Sequence, residues 1–390
     1  MVTIKRIIRK VRLIPFVILN VLQIMLLGIF RFAGRFVKNK PWVIHERGVD
    51  ARDNGYWFYR YMKEKHPEQK VYYIIDRKSA DYVKVQVDAV HLGSLLNYWV
   101  MAIAEKIVCT HIGMGLPKYF HPALYKKLGF LDRAYFLQHG VVKDDLPSLY
   151  GNRASVRLFV CGAKPEFEYI KNHFGHPEGV VQYTGLARFD KLHNISVKNQ
   201  ILVMPTWRAY HHHSKDEFLK SDFYVHWQSF LNHPGLLQKL EDANTKLIFY
   251  PHFETQKYLT SFSSGSPNVI LASFADYDVQ TLLKESAVLV TDYSSVYFDF
   301  AYMQKPVVFY QFDEEEFFSH HYAKGYFDYR IHGFGSVCVE ESSAIAELTK
   351  IWDNSFKLDE FYAERVRKFF PLHDQNNCER IYQAILERKI

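Results

Sequence analysis

Four places in the chain put a polar or ionisable residue directly behind a short apolar run. His139 follows Ala134–Gln138 and precedes Gly140, and Arg208 follows Gln200–Met204 after Pro205-Thr206-Trp207. His252 follows Thr245–Tyr250 after Pro251, and Ser294 and Ser295 follow Val288–Thr291 after Asp292 and Tyr293. An imidazole changes charge near neutrality and can take the proton of an alcohol. His139 is a candidate for that task, with Lys143, Asp144 and Asp145 close behind; either aspartate could instead orient it or act as the base. The alternative for a lone histidine is a structural group whose hydrogen bonds are satisfied. A guanidinium is permanently charged and its fork fits phosphate oxygens, so Arg208 is a candidate anion ligand, with a surface ion pair as the alternative. His252, if held as an imidazolium by Glu254, would donate to the same kind of group. Thr184-Gly185-Leu186-Ala187-Arg188 is a further glycine turn carrying a base. Asp292, Ser294 and Ser295 supply capping chemistry ahead of a helix, whose free N–H groups attract phosphate.

The elements that must position these residues alternate. Val288–Thr291 and Pro306–Tyr310 are β-branched apolar runs that read as buried parallel strands, with a helix over Val296–Met303 between them. Strands are predicted at Val71–Asp76, Lys106–His111, Ala134–Gln138, Arg157–Cys161 and Val180–Thr184, and helices at Asn54–Lys65 and Leu92–Ala104. A second set runs through Gln200–Met204, Thr245–Tyr250, Val269–Ala272 and Ser336–Val339. Alternation of this kind predicts an α/β chain with two Rossmann-like domains, 41–185 and 186–365, facing a central cleft in the GT-B arrangement. A last helix within 366–390 is expected to pack back on the first domain.

The net charge of +7 belongs to the N-terminus. Residues 1–40 carry nine bases and no acid, and the rest holds 40 bases against 42 acids, so charge gives no reason to expect nucleic-acid binding. Ile4, Ile7, Ile8 and Val11 recur at helical spacing among Lys5, Arg6, Arg9, Lys10 and Arg12, and Leu13–Phe30 is almost wholly apolar. Such a stretch is at the short limit for a hydrocarbon core of ~30 Å, and bases flank both of its ends. We read 1–40 as helices lying in, or dipping into, the cytoplasmic face of an anionic membrane, with a true span as the alternative. No small-residue cleavage site follows Phe30. Cys109, Cys161, Cys338 and Cys378 are far apart, which fits reduced cytosolic thiols and no zinc site. His211-His212-His213 cannot converge on one ion and reads as an exposed loop. No metal site and no cofactor are expected.

The motifs QHGVVKDDL (138–146), TGLARFD (184–190), PTWR (205–208), PHFE (251–254), TDYSSVYFDFAYMQKPVVFYQFD (291–313) and HDQNNCERIY (373–382) carry a resemblance. Taken in order over 41–390, they resemble the CDP-glycerol glycerophosphotransferase family of teichoic-acid primases and polymerases. The resemblance implies a GT-B fold, a CDP-glycerol donor and a lipid-linked saccharide acceptor of the undecaprenyl-diphosphate type at the membrane. It also implies His139 as general base and His252 beside the donor diphosphate. The substrate-binding set is then Gly140, Lys143, Gly185, Arg188, Thr206, Arg208, Asp292, Ser294 and Ser295. Val141-Val142 stands where the family often has Thr-Pro, Lys324-Gly325 where it often has Arg-Gly, and Gln375 where a glycine is common, which leaves acceptor choice open. A primase adding one unit is expected over a polymerase, because the chain has only an anchor and the two-domain body. CDP-ribitol as donor, a GT-B glycosyltransferase using a nucleotide sugar, and a silent membrane-tethered binding protein are the other readings.

Overall fold

The computed structural model describes residues 2–117, 122–208, 214–320 and 323–388, with the backbone alone for 2–16 and 122–123. The His211-His212-His213 triplet lies outside them, as do the side chains of Lys5, Arg6, Arg9, Lys10 and Arg12.

Two parallel sheets organise the chain. The first holds β1 (Trp42–His45), β2 (Val71–Ile75), β3 (Ala89–His91), β4 (Lys106–Cys109), β5 (Ala134–Phe136), β6 (Leu158–Cys161) and β7 (Val181–Tyr183), in the order β3-β2-β1-β4-β5-β6-β7. The second holds β8 (Gln200–Met204), β9 (Lys246–Phe249), β10 (Val269–Leu271), β11 (Val288–Thr291), β12 (Val307–Tyr310) and β13 (Gly335–Cys338), in the order β10-β9-β8-β11-β12-β13. Helices cover both faces, which is why the strands read as unbroken apolar runs. Each sheet reverses direction of growth at its first strand, and ligands of such sheets sit beyond the carboxyl ends at that reversal. There the ends of β1 and β4 bring His45 and His111 together, and the ends of β8 and β11 bring Thr206 and Asp292 together. β1 and β3 are absent from the sequence-based expectation. β1 has only four residues, too few for a periodicity, although it is an interior strand of the first sheet, between β2 and β4.

The N-terminal segment is one helix, Val2–Gly34, rather than two parts, and it runs through Pro15. Asn20, Gln23, Leu27 and Gly34 are buried at helical spacing, with Gln23 Nε2 donating to Tyr98 Oη (2.8 Å) and Phe30 edge-on to Trp99 (5.3 Å). The other face exposes Val17, Ile18, Val21, Leu22, Met25, Ile29 and Phe32. Val17–Gly34 has a mean hydropathy of 1.9 and is, by length and composition alone, apolar enough to cross a membrane.

The chain returns to the first domain at its end. In the helix Asn377–Glu387, Tyr382 stacks on His66 (3.7 Å), and the amides of Asn377 and Cys378 donate to Asp190 (2.8 and 2.9 Å).

Candidate active site

His139 is held by the residues around it. Gln138 adopts φ 60° and turns the chain out of β5. Its buried amide donates to Val160 O (2.5 Å) and Glu166 Oε1 (2.9 Å). Glu166 is itself buried and accepts from the amides of Val142 (2.6 Å), Gly162 (2.6 Å) and Ala163 (3.2 Å), so one carboxylate ties down both sides of the His139 turn. Burial pushes that carboxyl up to about 7 despite these donors. The left-handed residue is therefore Gln138, and what Gly140 supplies is room: a Cβ there would lie 3.4 Å from Ser295 Oγ.

The His139 ring is exposed to the cleft and stacks on His111 at 4.6 Å and 18°. Its cation is disfavoured first by the surrounding protein; Asp53 pulls the pKa up, Arg188 and Arg47 push it down, and the net direction is below the ordinary value. The nearby Thr110 backbone also favours the protonated form. A neutral imidazole carries one N–H and one nitrogen that can accept a proton. Burial also pushes His111 down to about 3 and His45 to about 4. The carboxylate acting on His139 is thus Asp53, not Asp144 or Asp145: Asp144 pairs with Lys143 (2.5 Å) and Asp145 accepts from Tyr150 Oη (2.6 Å).

On the second domain, β8 and β11 end level, with Thr291 paired to Met204 and its Oγ1 donating to Met204 O (2.6 Å). Asp292 is fully buried and accepts through Oδ1 from the amides of Thr206 (2.8 Å) and Tyr293 (2.5 Å). It ties two turns together and corrects the expectation of a substrate ligand. Ser295 sits at the N-cap of the helix Val296–Tyr302, yet its hydroxyl accepts no capping hydrogen bond. Both serines are half-buried and face the cleft. His252 Nδ1 accepts from the Glu254 amide (3.2 Å), so its proton is on Nε2; the backbone of Glu254, not its carboxylate, fixes this ring. Trp207 lies parallel to it at 5.9 Å.

His139, Gly140, Lys143, Thr206, His252, Ser294 and Ser295 line one cavity of ≈ 250 Å³ between the domains. Thr206 Oγ1 is buried there without a partner among the described residues. A second chamber of ≈ 240 Å³ lies on the other side of His139, bounded by Arg47, Asp53, His111, Arg188 and Asp278. A larger hollow, ≈ 410 Å³, lies by Pro306, Ser336 and Tyr362, at the opposite end of the second sheet and away from every strand-end candidate.

Three expected ligands are engaged by the protein itself. Arg208 is 1% exposed and spent on Asp313 (2.7 and 3.0 Å), Asp292 (2.9 Å) and Thr206 O (2.6 Å), with its face against Tyr293 and Phe317. Arg188 gives Nε and Nη2 to Asp299 (2.6 and 2.7 Å) and Nη1 to Asp53 and His139 O (2.7 and 2.9 Å). The carboxylates hold both guanidinium pKa values above the ordinary value, against burial. A fork already satisfied by buried carboxylates is not free for phosphate, which corrects both assignments. Gly185, at φ 78°, makes room for Asn377 of the last helix and does not face the cleft. The sequence reading missed Asp53, His111 and Glu166. His111 ends β4 as His139 ends β5, so the strand-end rule applied to it equally; Asp53 needed β1 to be seen first.

Residues 29–146 and 168–387 match the family described as CDP-Glycerol:Poly(glycerophosphate) glycerophosphotransferase. The minor teichoic acid biosynthesis protein GgaB of Bacillus subtilis (strain 168) is 30% identical over 90% of this chain and 40% of its own length. The teichoic acid poly(glycerol phosphate) polymerase of the same organism is 25% identical over 92% of this chain and 50% of its own. The chain thus spans half or less of the length of these curated relatives. Among solved structures, the wall teichoic acid polymerase TagF superposes with a TM-score of 0.69 at 19% identity, covering 97% of this chain and 99% of that one. A UDP-N-acetylglucosamine 2-epimerase-like protein from Listeria monocytogenes reaches 0.55 at 15% identity over 89% and 96%. With its two parallel-sheet domains and matched motifs, the chain belongs to the CDP-glycerol:poly(glycerophosphate) glycerophosphotransferase family.

Proposed function

We propose that the chain transfers glycerol phosphate from CDP-glycerol to a hydroxyl of a membrane lipid-linked saccharide acceptor, in teichoic acid or related polymer synthesis, and releases CMP. The observation that carries this is the shared cavity: the His139 imidazole stands across ≈ 250 Å³ from Ser294, Ser295 and a histidine with its proton on Nε2. The acceptor hydroxyl gives its proton to His139 as its oxygen bonds to the glycerol-bearing phosphorus. The P–O bond to CMP breaks, and the electron pair leaves on the CMP phosphate oxygen. His252 Nε2–H and the turn at Ser294 and Ser295 donate to the oxygens that gain charge. Thr206 Oγ1, without a partner among the described residues, is a further donor to them. The proposed chemistry needs no metal.

The N-terminal helix supports work at a membrane surface. Its docked stripe and its exposed apolar face favour a helix lying in the plane of the cytoplasmic interface over one that spans the bilayer.

The test offers CDP-glycerol, CDP-ribitol and UDP-sugars with a lipid-linked disaccharide and identifies the nucleotide released and the product mass. CMP from CDP-glycerol is expected; UDP from a UDP-sugar instead would make the chain a glycosyltransferase. The mass also counts the units added, one for a primase and many for a polymerase.

A further inference from the structure

The chamber behind His139 does not end in a wall. Arg52, Asp278 and Gln280 line it and also line a wider groove of ≈ 470 Å³. That groove is built by both domains, with Tyr56, Trp57 and Lys84 on one side and Tyr277, Thr281 and Lys284 on the other. Its charges are unevenly matched. Arg52 and Lys84 both pair with Asp81 (2.5 and 2.8 Å), Asp278 is occupied in capping Thr281 N (2.9 Å), and Asp276 accepts from Ser273 (2.5 Å). Lys191 and Lys284 enter no ion pair among the described residues, and each holds its ammonium 5.9 Å from the Trp57 ring. Burial lowers the Lys284 pKa, Asp278 opposes this, and Lys191 adds to it. Two like charges over one indole, one on the linker between the sheets and one on the second domain, carry a repulsion that a bound anion would relieve. Trp57 and Tyr277 are half-buried and offer ring faces for the carbon skeleton of a sugar or polyol.

We infer that this groove holds the acceptor: a phosphodiester-linked polyol or saccharide strand whose terminal hydroxyl reaches His139 and whose phosphate further back lies between Lys191 and Lys284 over Trp57. The inference rests on the transfer reading above. It assigns the ≈ 250 Å³ cavity to the donor and the opposite side of His139 to the acceptor. The groove then selects acceptors by charge and length, a property the donor side cannot supply.

The experiment uses the full chain with Lys191→Gln and Lys284→Gln combined. Acceptors are glycerol phosphate oligomers of one unit and of several units, and an uncharged oligosaccharide of similar length, each with CDP-glycerol. For the multi-unit oligomer the KM should rise roughly tenfold, the loss of one charge-assisted phosphate contact. The KM for the one-unit acceptor, the KM for CDP-glycerol and kcat at saturation should stay unchanged. No rise for the multi-unit oligomer, or an equal rise for the one-unit or uncharged acceptor, overturns the inference. Isothermal titration of the multi-unit oligomer without donor separates this from the transfer reading. If wild type releases no CMP but binds the oligomer, and the double variant binds it roughly tenfold more weakly, the reaction assignment fails and the groove stands. If wild type turns over and the titration is the same for both proteins, the reverse holds.

Discussion

Arg188, on the linker between the sheets, and Asp299 meet through two parallel hydrogen bonds of 2.6 and 2.7 Å. The same guanidinium reaches the carbonyl of His139 at 2.9 Å, so the helix that begins at Ser295 and the turn that carries His139 share one cross-link. One guanidinium thus sets the turn of His139 against the turn at Ser295.

Arg188→Lys keeps the charge and loses the fork. It should lower unfolding stability by roughly 3 kcal/mol, as expected when a buried pair is broken, and reduce kcat while CDP-glycerol binding is spared. Denaturant unfolding with donor titration checks it. Unchanged stability would mean that the two turns are held elsewhere.

His139→Ala should abolish most turnover with the fold intact. Because the His139 pKa lies below 6.5, the acid limb of kcat/KM should fall below that pH in wild type. Asp53 raises that pKa, so Asp53→Asn should move the limb to still lower pH. A limb that moves upward, measured across pH 4 to 8, would remove Asp53 from this role.

His252→Ala should cost on the order of 10²–10³ in kcat, the range for losing one preorganised donor to a developing charge. The KM for CDP-glycerol should change less. An equal loss in KM alone would make His252 a ground-state ligand.

Glu166→Gln sets an NH₂ against backbone N–H donors and should cost about 1–3 kcal/mol, with kcat falling as the His139 turn loosens. The folded carboxyl sits near 7 against an ordinary 4.5. The folded state therefore binds the extra proton between these values, and this group's contribution to stability falls as pH rises through them. In Glu166→Gln that slope should vanish from urea midpoints taken at pH 5 and pH 7.

Chelation should leave turnover unchanged, since no step proposed above uses a metal. Loss of CMP release with EDTA, restored by one divalent ion, would require a different account of charge stabilisation.

By itself the sequence determined the alternation of strands and helices, the strand-end residues His139, His252, Ser294 and Ser295, and the family. Those are local properties: apolar runs, turns behind them and motifs written in consecutive residues. Tertiary structure alone decided which bases are free. Arg208 finds Asp313 and Arg188 finds Asp299, each more than 100 residues away along the chain, and a guanidinium beside a buried carboxylate no longer seeks phosphate. Likewise Asp53 acts on His139 only because the four-residue strand β1 lies inside its sheet, where pairing with β2 and β4 stabilises a segment too short to declare itself.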